Sequence, residues 1–179
     1  LAAFYRQQLN IKVIGISGSV GKTSTKEFVA GVLSAKYNVW KTQGNFNNEV
    51  GLPLTVLKLR DEHEVAVLEM GISDFGEMTR LSEIAQPDVC VITNIGQCHL
   101  EQLGDRDGVL KAKTEVFANL KEGGTACLFA DDDKLAGIAE VNGKKPVFYG
   151  MDESAEVYAS GVVNKGLFGS ECVIHAGDM

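Results

Sequence analysis

Short apolar runs alternate along the chain with stretches whose apolar residues repeat at helical spacing. The apolar runs predict buried strands at 12–16, 38–42, 65–68, 89–93, 125–129 and 147–149. The helical spacing predicts helices at 23–37, 49–59, 74–86, 108–120 and 132–141. In the helix at 23–37, the residues expected to face the core are Phe28, Val29, Val32 and Leu33. Strands that alternate with helices favour a mainly parallel sheet with right-handed crossovers, so we predict a three-layer α/β domain.

Both ends of the chain depart from this pattern. Near the C-terminus, alternating apolar and polar positions around Asn164-Lys165-Gly166 predict a small antiparallel hairpin at the sheet edge. In residues 1–10, Leu1, Phe4 and further apolar residues fall on one side of a helix, and this pattern predicts a linker helix whose packing partner is missing. We expect the chain to be a piece of a longer protein, with residues 1–10 as a linker and residues 11–179 as one domain that is truncated.

Composition and charge exclude several function classes. With 179 residues, 45% of them apolar, the chain can bury one core without disulfide or metal staples. Its formal charge of −7 argues against a nucleic-acid partner, because phosphate backbones require a cationic face. The four cysteines form no Cys-x-x-Cys pair, as is typical of reduced thiols in a cytoplasmic protein. No apolar run approaches the ~20 residues of a membrane span, so we expect no membrane insertion.

A glycine-rich segment after the first predicted strand is the strongest chemical signal. Residues 13–24 read VIGISGSVGKTS, an apolar run that ends in glycines, a lysine and hydroxyls. Glycines let the backbone N–H groups wrap around a polyphosphate, and the N-terminus of the following helix adds positive potential. Lys22 would contact the terminal phosphates, and Thr23 would bind Mg²⁺. The standard motif requires glycine where Ile16 stands, and the alternative is a glycine-rich turn without a ligand.

Polar residues also follow the next three predicted strands. Asn47 and Asn48 follow the second strand, Glu69 ends the third, and Asn94 and His99 follow the fourth. Open parallel sheets bind ligands outside the carboxyl ends of their strands, so we expect these residues to converge with the phosphate loop. Glu69 is the predicted Mg²⁺ ligand, with a solvent-exposed strand-end carboxylate as the alternative. For His99 the alternative is a surface loop residue.

Lys113 lies in the middle of the apolar stripe of its predicted helix. At about 100° per residue, Val109 and Leu120 fall within about 60° of it, whereas Lys111 falls on the opposite side. Such a lysine must reach solvent along its stem, meet an acid or be chemically changed. Burial that lowers its pKa toward ~7 would leave about half of the amine neutral and able to react with CO₂. The resulting carbamate could bind a metal beside His99.

With these residues assembled, the sequence resembles the ATP-binding central domain of the Mur ligases, the amino-acid-adding enzymes of peptidoglycan synthesis. The resemblance rests on GISGSVGKTSTK at 15–26, GNFNNEVGLP at 44–53, LEMG at 68–71, FGE at 75–77, TNIGQCHLEQLG at 93–104 and KAKTEVF at 111–117. The phosphate loop alone fits many NTPases. The asparagine segment and the His-Leu-Glu loop followed by Lys-Ala-Lys are much more specific, and they greatly reduce the number of NTPase families that the sequence resembles. The resemblance implies a P-loop-type fold for this domain.

The resemblance also implies a reaction. ATP would phosphorylate a substrate carboxylate, and an amine would attack the acyl phosphate to give an amide, ADP and phosphate. The implied substrates are UDP-MurNAc-tripeptide and D-Ala-D-Ala, with the substrates of another Mur ligase as the alternative. The implied cofactors are ATP and Mg²⁺, together with CO₂ for lysine carbamylation. By position, Lys22 stabilises the migrating phosphoryl group, Thr23 and Glu69 hold one Mg²⁺, and His99 and carbamylated Lys113 serve a second.

Further implied contacts surround the nucleotide. They are Ser17, Gly18, Ser19, Val20, Gly21, Lys22, Thr23, Ser24, Asn47 and Asn48. Relatives commonly have Asn-Ala-Asp-Asp after the fifth strand, but this chain has Phe129 at the first position, so an asparagine expected near the adenine is replaced. We expect a cytoplasmic monomer. The resemblance also implies an N-terminal domain, to which residues 1–10 would be the linker, and a C-terminal domain, both of which we expect to be absent from this chain. We therefore expect this piece alone to be inactive, because those domains supply further contacts.

Other classes stay open at this point. Folylpolyglutamate synthase shares the implied fold and chemistry, but its loop resembles Thr-Asn-Gly-Lys-Gly-Ser, whereas this chain has Gly-Lys-Thr-Ser. A guanine-nucleotide switch would carry Asn-Lys-x-Asp, which the sequence lacks. A module that binds nucleotide without ligase activity is the third alternative.

Overall fold

The structure is a computed structural model that describes residues 1–177. Within them the strands are β1 (Lys12–Ser17), β2 (Val39–Lys41), β3 (Val65–Glu69), β4 (Val89–Ile92), β5 (Thr125–Phe129), β6 (Val147–Gly150), β7 (Val157–Asn164) and β8 (Ser170–His175). They form one sheet in the order β2-β3-β1-β4-β5-β6-β7-β8. Neighbouring strands are parallel except β7 and β8, which are antiparallel. The predicted sheet and its C-terminal hairpin are confirmed.

Helices cover both faces of this sheet. They are α1 (Ala2–Gln7), α2 (Lys22–Leu33), α3 (Gly51–Val56), α4 (Glu77–Ala85), α5 (Leu100–Leu103) and α6 (Arg106–Thr114), with 3₁₀ helices at Glu115–Asn119 and Gly166–Phe168. Helix α2 packs on one face, where Ala30 meets Ile16 and Val67. Helices α1, α3, α4 and α6 pack on the other face, which confirms the three layers. Between residues 1 and 177, no helix has the length and apolar character needed to cross a membrane.

Helix α2 turns a different side to the sheet than its periodicity predicted. Phe28 and Val32 are each 75% exposed, whereas Lys26 and Ala30 are buried. Residues 26 and 30 are about one turn apart, so they share a face. Val29 and Leu33 are half-buried against the sheet, as expected. The small side chain of Ala30 lets the helix approach the strands closely, and this approach brings the stem of Lys26 into the interior.

Helix α1 has a packing partner within the described chain, contrary to expectation. Leu1 and Phe4 are mostly exposed, whereas Ala2 and Arg6 are buried. The Arg6 guanidinium donates hydrogen bonds to the carbonyls of Leu9, Ile11 and Ala85 at 3.1, 2.9 and 3.1 Å. These bonds satisfy a buried cation and join α1 to the C-terminal end of α4. That residues 1–10 connect to another domain stays a prediction.

The helix predicted at 132–141 is wrong, because turns occupy the first part of this segment. The Asp132 carboxylate accepts N–H bonds from Lys134 at 3.0 Å and Leu135 at 3.1 Å. Short-range bonds of this kind stabilise turns and compete with helix formation. Asp132 also accepts the N–H of Ile95 at 2.8 Å, so the turn supports the loop that follows β4.

Candidate active site

The phosphate loop joins β1 to α2 and depends on two glycines. Gly18 has φ 140° and Gly21 has φ 81°, which are backbone conformations that side chains rarely permit. A Cβ at Gly18 would lie 1.9 Å from the Thr93 Oγ1. Gly21 directly precedes α2, so the positive end of a 12-residue helix faces the loop. This arrangement is suited to binding an anion.

The loop after β4 holds the phosphate loop in place. The Thr93 hydroxyl donates to the Val20 carbonyl at 2.6 Å. The Asn94 amide donates to the same carbonyl and accepts the Val20 N–H, both at 3.1 Å. The Asn94 carbonyl accepts the Ser19 N–H at 3.0 Å. Asn94 therefore acts as scaffold, and Thr93 is a supporting residue that the sequence did not reveal.

Lys22 and Ser24 lie on the first turn of α2. The Lys22 ammonium donates to the carbonyls of Gly18 at 2.8 Å and Ser19 at 3.3 Å, so it lies over the loop. Ser24 is exposed on the same turn. A lysine in this position can contact phosphate oxygens that enter the loop.

Glu69, at the end of β3, connects the loop to the asparagine segment. It is only 2% exposed. The Thr23 hydroxyl lies 3.0 and 3.2 Å from its two carboxylate oxygens, and the Asn47 amide donates to it at 2.8 Å. The Glu69 N–H donates to the Thr42 hydroxyl at 3.0 Å. The alternative in which Glu69 is a solvent-exposed carboxylate does not describe this structure.

Asn48 has a different role from Asn47. Its side-chain oxygen accepts the N–H of Gly51 at 2.9 Å and of Val50 at 3.2 Å, at the start of α3. Asn48 therefore supports the start of this helix from two residues before its N-cap, Val50. Its exposed side chain makes no recorded bond to Glu69 or the phosphate loop within residues 1–177. That Asn48 contacts nucleotide stays a prediction.

Cys98 and His99 continue the loop after β4. The Cys98 thiol donates to the Ser19 hydroxyl at 3.2 Å, which brings this segment against the phosphate loop. His99 follows with φ 52°, the left-handed region, and its carbonyl accepts the N–H groups of Gln102 and Leu103. Uncommon backbone conformations of this kind concentrate at functional sites. The His99 ring is exposed, and its approach to a metal stays a prediction.

Lys113 is 1% exposed, on α6. Its pKa is lowered to about 8, chiefly by burial; Cys98 opposes the shift, and the nearby Lys22 charge adds to it. Within residues 1–177 its ammonium has neither a hydrogen bond nor an ion pair with a described group. The ammonium is not among the fully buried, unbonded polar atoms of residues 1–177, so it keeps some contact with solvent, and carbamylation stays a prediction. Its electrostatic interactions with Lys22 and Cys98 place it at the same edge as the phosphate loop.

The donors at this edge match the needs of Mg²⁺ bound together with a phosphate. Residues 1–177 contain no cluster of three or more His, Cys, Asp or Glu side chains close enough to hold a metal by themselves. Mg²⁺ at nucleotide sites uses one or two carboxylates and completes its shell with phosphates and water. The adjoining oxygens of Thr23 and Glu69 fit that pattern.

Phe129 ends β5 at this edge of the sheet. Its ring lies 5.6 Å from that of Tyr149, measured between centroids. Both rings line an apolar cavity of about 350 Å³ between the ends of β5 and β6 and the start of β7. Aromatic rings thus stand where the resemblance implied a side-chain amide.

Comparison with known proteins agrees with this geometry. The chain is 50% identical over 135 residues to the UDP-N-acetylmuramoyl-tripeptide--D-alanyl-D-alanine ligase of Bacillus subtilis (strain 168), a match that covers 75% of this chain and 30% of that protein. A MurF structure from Acinetobacter baumannii superposes with TM-score 0.86 at 36% identity, covering 99% of this chain and 42% of that one. MurF ligase from Thermotoga maritima in complex with ADP gives TM-score 0.87 at 34% identity, with coverages of 98% and 40%.

The family assignment rests on most of the chain. The aligned part of the chain spans only 30%, 34% and 33% of three curated relatives, so each of them is about two and a half times as long as this chain. The sequence profile of the Mur ligase middle domain matches residues 16–178, well over half of the chain. The chain therefore belongs to the Mur ligase family, in which it corresponds to the middle domain.

Proposed function

We propose that the protein containing this domain is an ATP-dependent ligase that adds D-Ala-D-Ala to UDP-MurNAc-tripeptide. The observation that carries the proposal is the contact between the Thr23 hydroxyl and the Glu69 carboxylate beside the phosphate loop. It places a buried carboxylate, a group that can bind Mg²⁺, next to a loop suited to binding phosphate. The names of the relatives supply the substrates. The named ADP complex of the Thermotoga relative supports ATP as the phosphoryl donor.

The proposed reaction has two steps. The tripeptide carboxylate attacks the γ-phosphorus of ATP, which forms an acyl phosphate and releases ADP. The amine of D-Ala-D-Ala then attacks the acyl carbon, phosphate leaves, and an amide forms with loss of a proton. Lys22 would neutralise charge on the migrating phosphoryl group, and the loop N–H groups would orient the phosphates. Mg²⁺ held by Thr23 and Glu69 would supply further charge neutralisation.

Lys113 is proposed to act as a carbamate that serves, with His99, a second Mg²⁺. The neutral amine attacks CO₂, an N–C bond forms and a proton leaves. With a pKa of about 8, roughly a tenth of the amine is neutral at pH 7, against less than about 0.1% for an ordinary lysine. We expect Lys113→Ala to be inactive and short carboxylic acids to restore part of the activity. Full activity of the unsupplemented variant would overturn the carbamate.

The test of the overall function is phosphate release by the full-length protein. We expect release that requires ATP, UDP-MurNAc-tripeptide and D-Ala-D-Ala together. Release with UDP-MurNAc and L-Ala instead would indicate another Mur ligase. Release that does not depend on an amine, or nucleotide binding without release, would favour a module without ligase activity.

We also propose that the protein works in the cytoplasm as a monomer. The described cysteines, Cys90, Cys98, Cys127 and Cys172, are all free, which suits a reducing compartment. Light scattering of the full-length protein after size exclusion tests the oligomeric state.

A further inference from the structure

Lys26 is a buried cation beside the predicted magnesium ligand. It lies on α2, three residues after Thr23, so both side chains project from one side of the helix. Its side chain is 1% exposed, and its ammonium lies 3.6 Å from the Glu69 carboxylate. The ammonium also lies 3.3 Å from the Glu27 carboxylate and 3.4 Å from the Gly44 carbonyl. Lys26 thus connects the phosphate-loop helix, the end of β3 and the asparagine segment.

The surroundings of Glu69 show what this cation does. The carboxylate is 2% exposed, and removing a carboxylate from water is costly unless a charge or several donors compensate. Thr23 and Asn47 supply neutral donors. Among the described residues, Lys26 supplies the ion pair that the structure records for Glu69. Without this ion pair, the buried Glu69 carboxylate would lose its compensating charge and turn away from Thr23.

We propose that Lys26 is a positioning residue, which holds the Glu69 carboxylate aligned with Thr23 and fixes the segment that carries Asn47. Glu69 is the predicted Mg²⁺ ligand, so the effect of Lys26 on metal binding passes through Glu69. The proposal rests on the proposed function in one respect, that Glu69 takes part in Mg²⁺-nucleotide binding. The ion pair itself can be tested without metal.

The first experiment measures ADP affinity of the full-length protein with and without Mg²⁺. Lys26→Met keeps the apolar stem and removes the charge. We expect the strengthening of ADP binding by Mg²⁺ to fall at least tenfold in this variant, while Mg²⁺-free affinity changes less than about twofold. Lys26→Arg should recover part of the Mg²⁺ effect. Lys36→Met removes an exposed lysine that lies over the Tyr37 ring and should match the wild-type protein.

The second experiment is a thermal double-mutant cycle without nucleotide or metal. Lys26→Met leaves a buried carboxylate without its cation and should lower the melting temperature by at least about 3 °C. Adding Glu69→Gln removes the uncompensated charge and should restore most of the loss. A purely structural role of the lysine stem predicts additive losses, and additivity would overturn the proposal. If Lys26→Met does not fold, rescue of folding by Glu69→Gln supports the proposal, and failure of rescue overturns it.

The two experiments separate the possible failures. If the wild-type protein binds ADP with no Mg²⁺ effect, the proposed function and the metal-related role of Lys26 both fail. If Mg²⁺ strengthens binding equally in wild type and Lys26→Met, the role of Lys26 fails while the proposed function stands.

Discussion

Replacing Lys113 should stabilise the domain and abolish the activity of the full-length protein. Lys113→Met keeps an unbranched apolar stem of similar length and removes the buried amine. The folded-state pKa of Lys113 is about 8, below the value of about 10.4 in an unfolded chain. At neutral pH, folding therefore confines a charge in a site that disfavours it. Methionine has no such cost.

The size and the pH dependence of this effect follow from the two pKa values. Burial of the protonated amine costs about 3 kcal/mol at pH 7 and less than about 1 kcal/mol at pH 10. Between pH 8 and 10.4 the folded state binds fewer protons than the unfolded state, so wild-type stability rises with pH through this window. The advantage of Lys113→Met should therefore be largest below pH 8 and nearly vanish by pH 10.4.

Urea unfolding of the 179-residue chain measures this advantage, with the fluorescence of its single tryptophan, Trp40, as the signal. Buffers free of CO₂ keep the wild-type amine uncarbamylated. The comparison is made between variant and wild type at each pH, so that other titrating groups cancel. Lys111→Met, in which an exposed lysine of the same helix is changed, is the control and should show no pH-dependent difference. A Lys113→Met chain that is less stable at pH 7, or an advantage that does not change with pH, would refute the reasoning.

Three further predictions concern single contacts. Gly18→Ala should weaken ADP binding by the full-length protein at least tenfold, because the new Cβ would meet the Thr93 hydroxyl, and unchanged affinity would contradict the loop geometry. Modification of Cys98 by N-ethylmaleimide should block ADP binding, and bound ADP should protect this thiol from the reagent, whereas modification of the exposed Cys172 should have no effect. If N-ethylmaleimide also blocks ADP binding in the Cys98→Ala variant, the role assigned to Cys98 is contradicted. Glu115→Ala removes the carboxylate that accepts N–H bonds at the start of α4 and should cost about 1–2 kcal/mol in urea unfolding; an unchanged midpoint would show that this cap is dispensable.

The parts of the fold that the sequence predicted are those controlled by local pattern. Continuous apolar runs predicted the strands of the parallel sheet, because strands covered on both faces need apolar residues at every position. The helix predicted at 132–141 was wrong because the Asp132 side chain forms hydrogen bonds with the local backbone. Apolar periodicity does not reveal such bonds. The orientation of helix α2 was predicted wrongly, because its sequence allows more than one side to face the sheet. Packing selects the side that carries Ala30 and leaves Phe28 and Val32 exposed.

The residues of the candidate site also include some that the sequence could predict and some that it could not. Topology alone placed Glu69 at the same edge as the phosphate loop, because parallel strands end together. The roles of individual polar residues depended on partners distant in sequence. The Asn94 amide bonds to Val20, and the Asn48 side chain bonds to backbone N–H groups at the start of α3, neither of which the sequence pattern indicates. The sequence analysis did not single out Lys26, because the core side of α2 was predicted from Phe28 and Val32, whereas Lys113 stood out within an apolar stripe.

The three lysines near the phosphate loop differ chiefly in their partners. Lys22 bonds carbonyls of its own loop, and Lys26 pairs with two carboxylates. Lys113 has no recorded anionic partner among residues 1–177, and it is the one whose pKa burial lowers to about 8. Its interaction with Lys22 is repulsive while both are ammonium ions. Carbamylation would replace this repulsion by attraction, so the modification that supplies a metal ligand would also remove the least favourable charge contact recorded for Lys113.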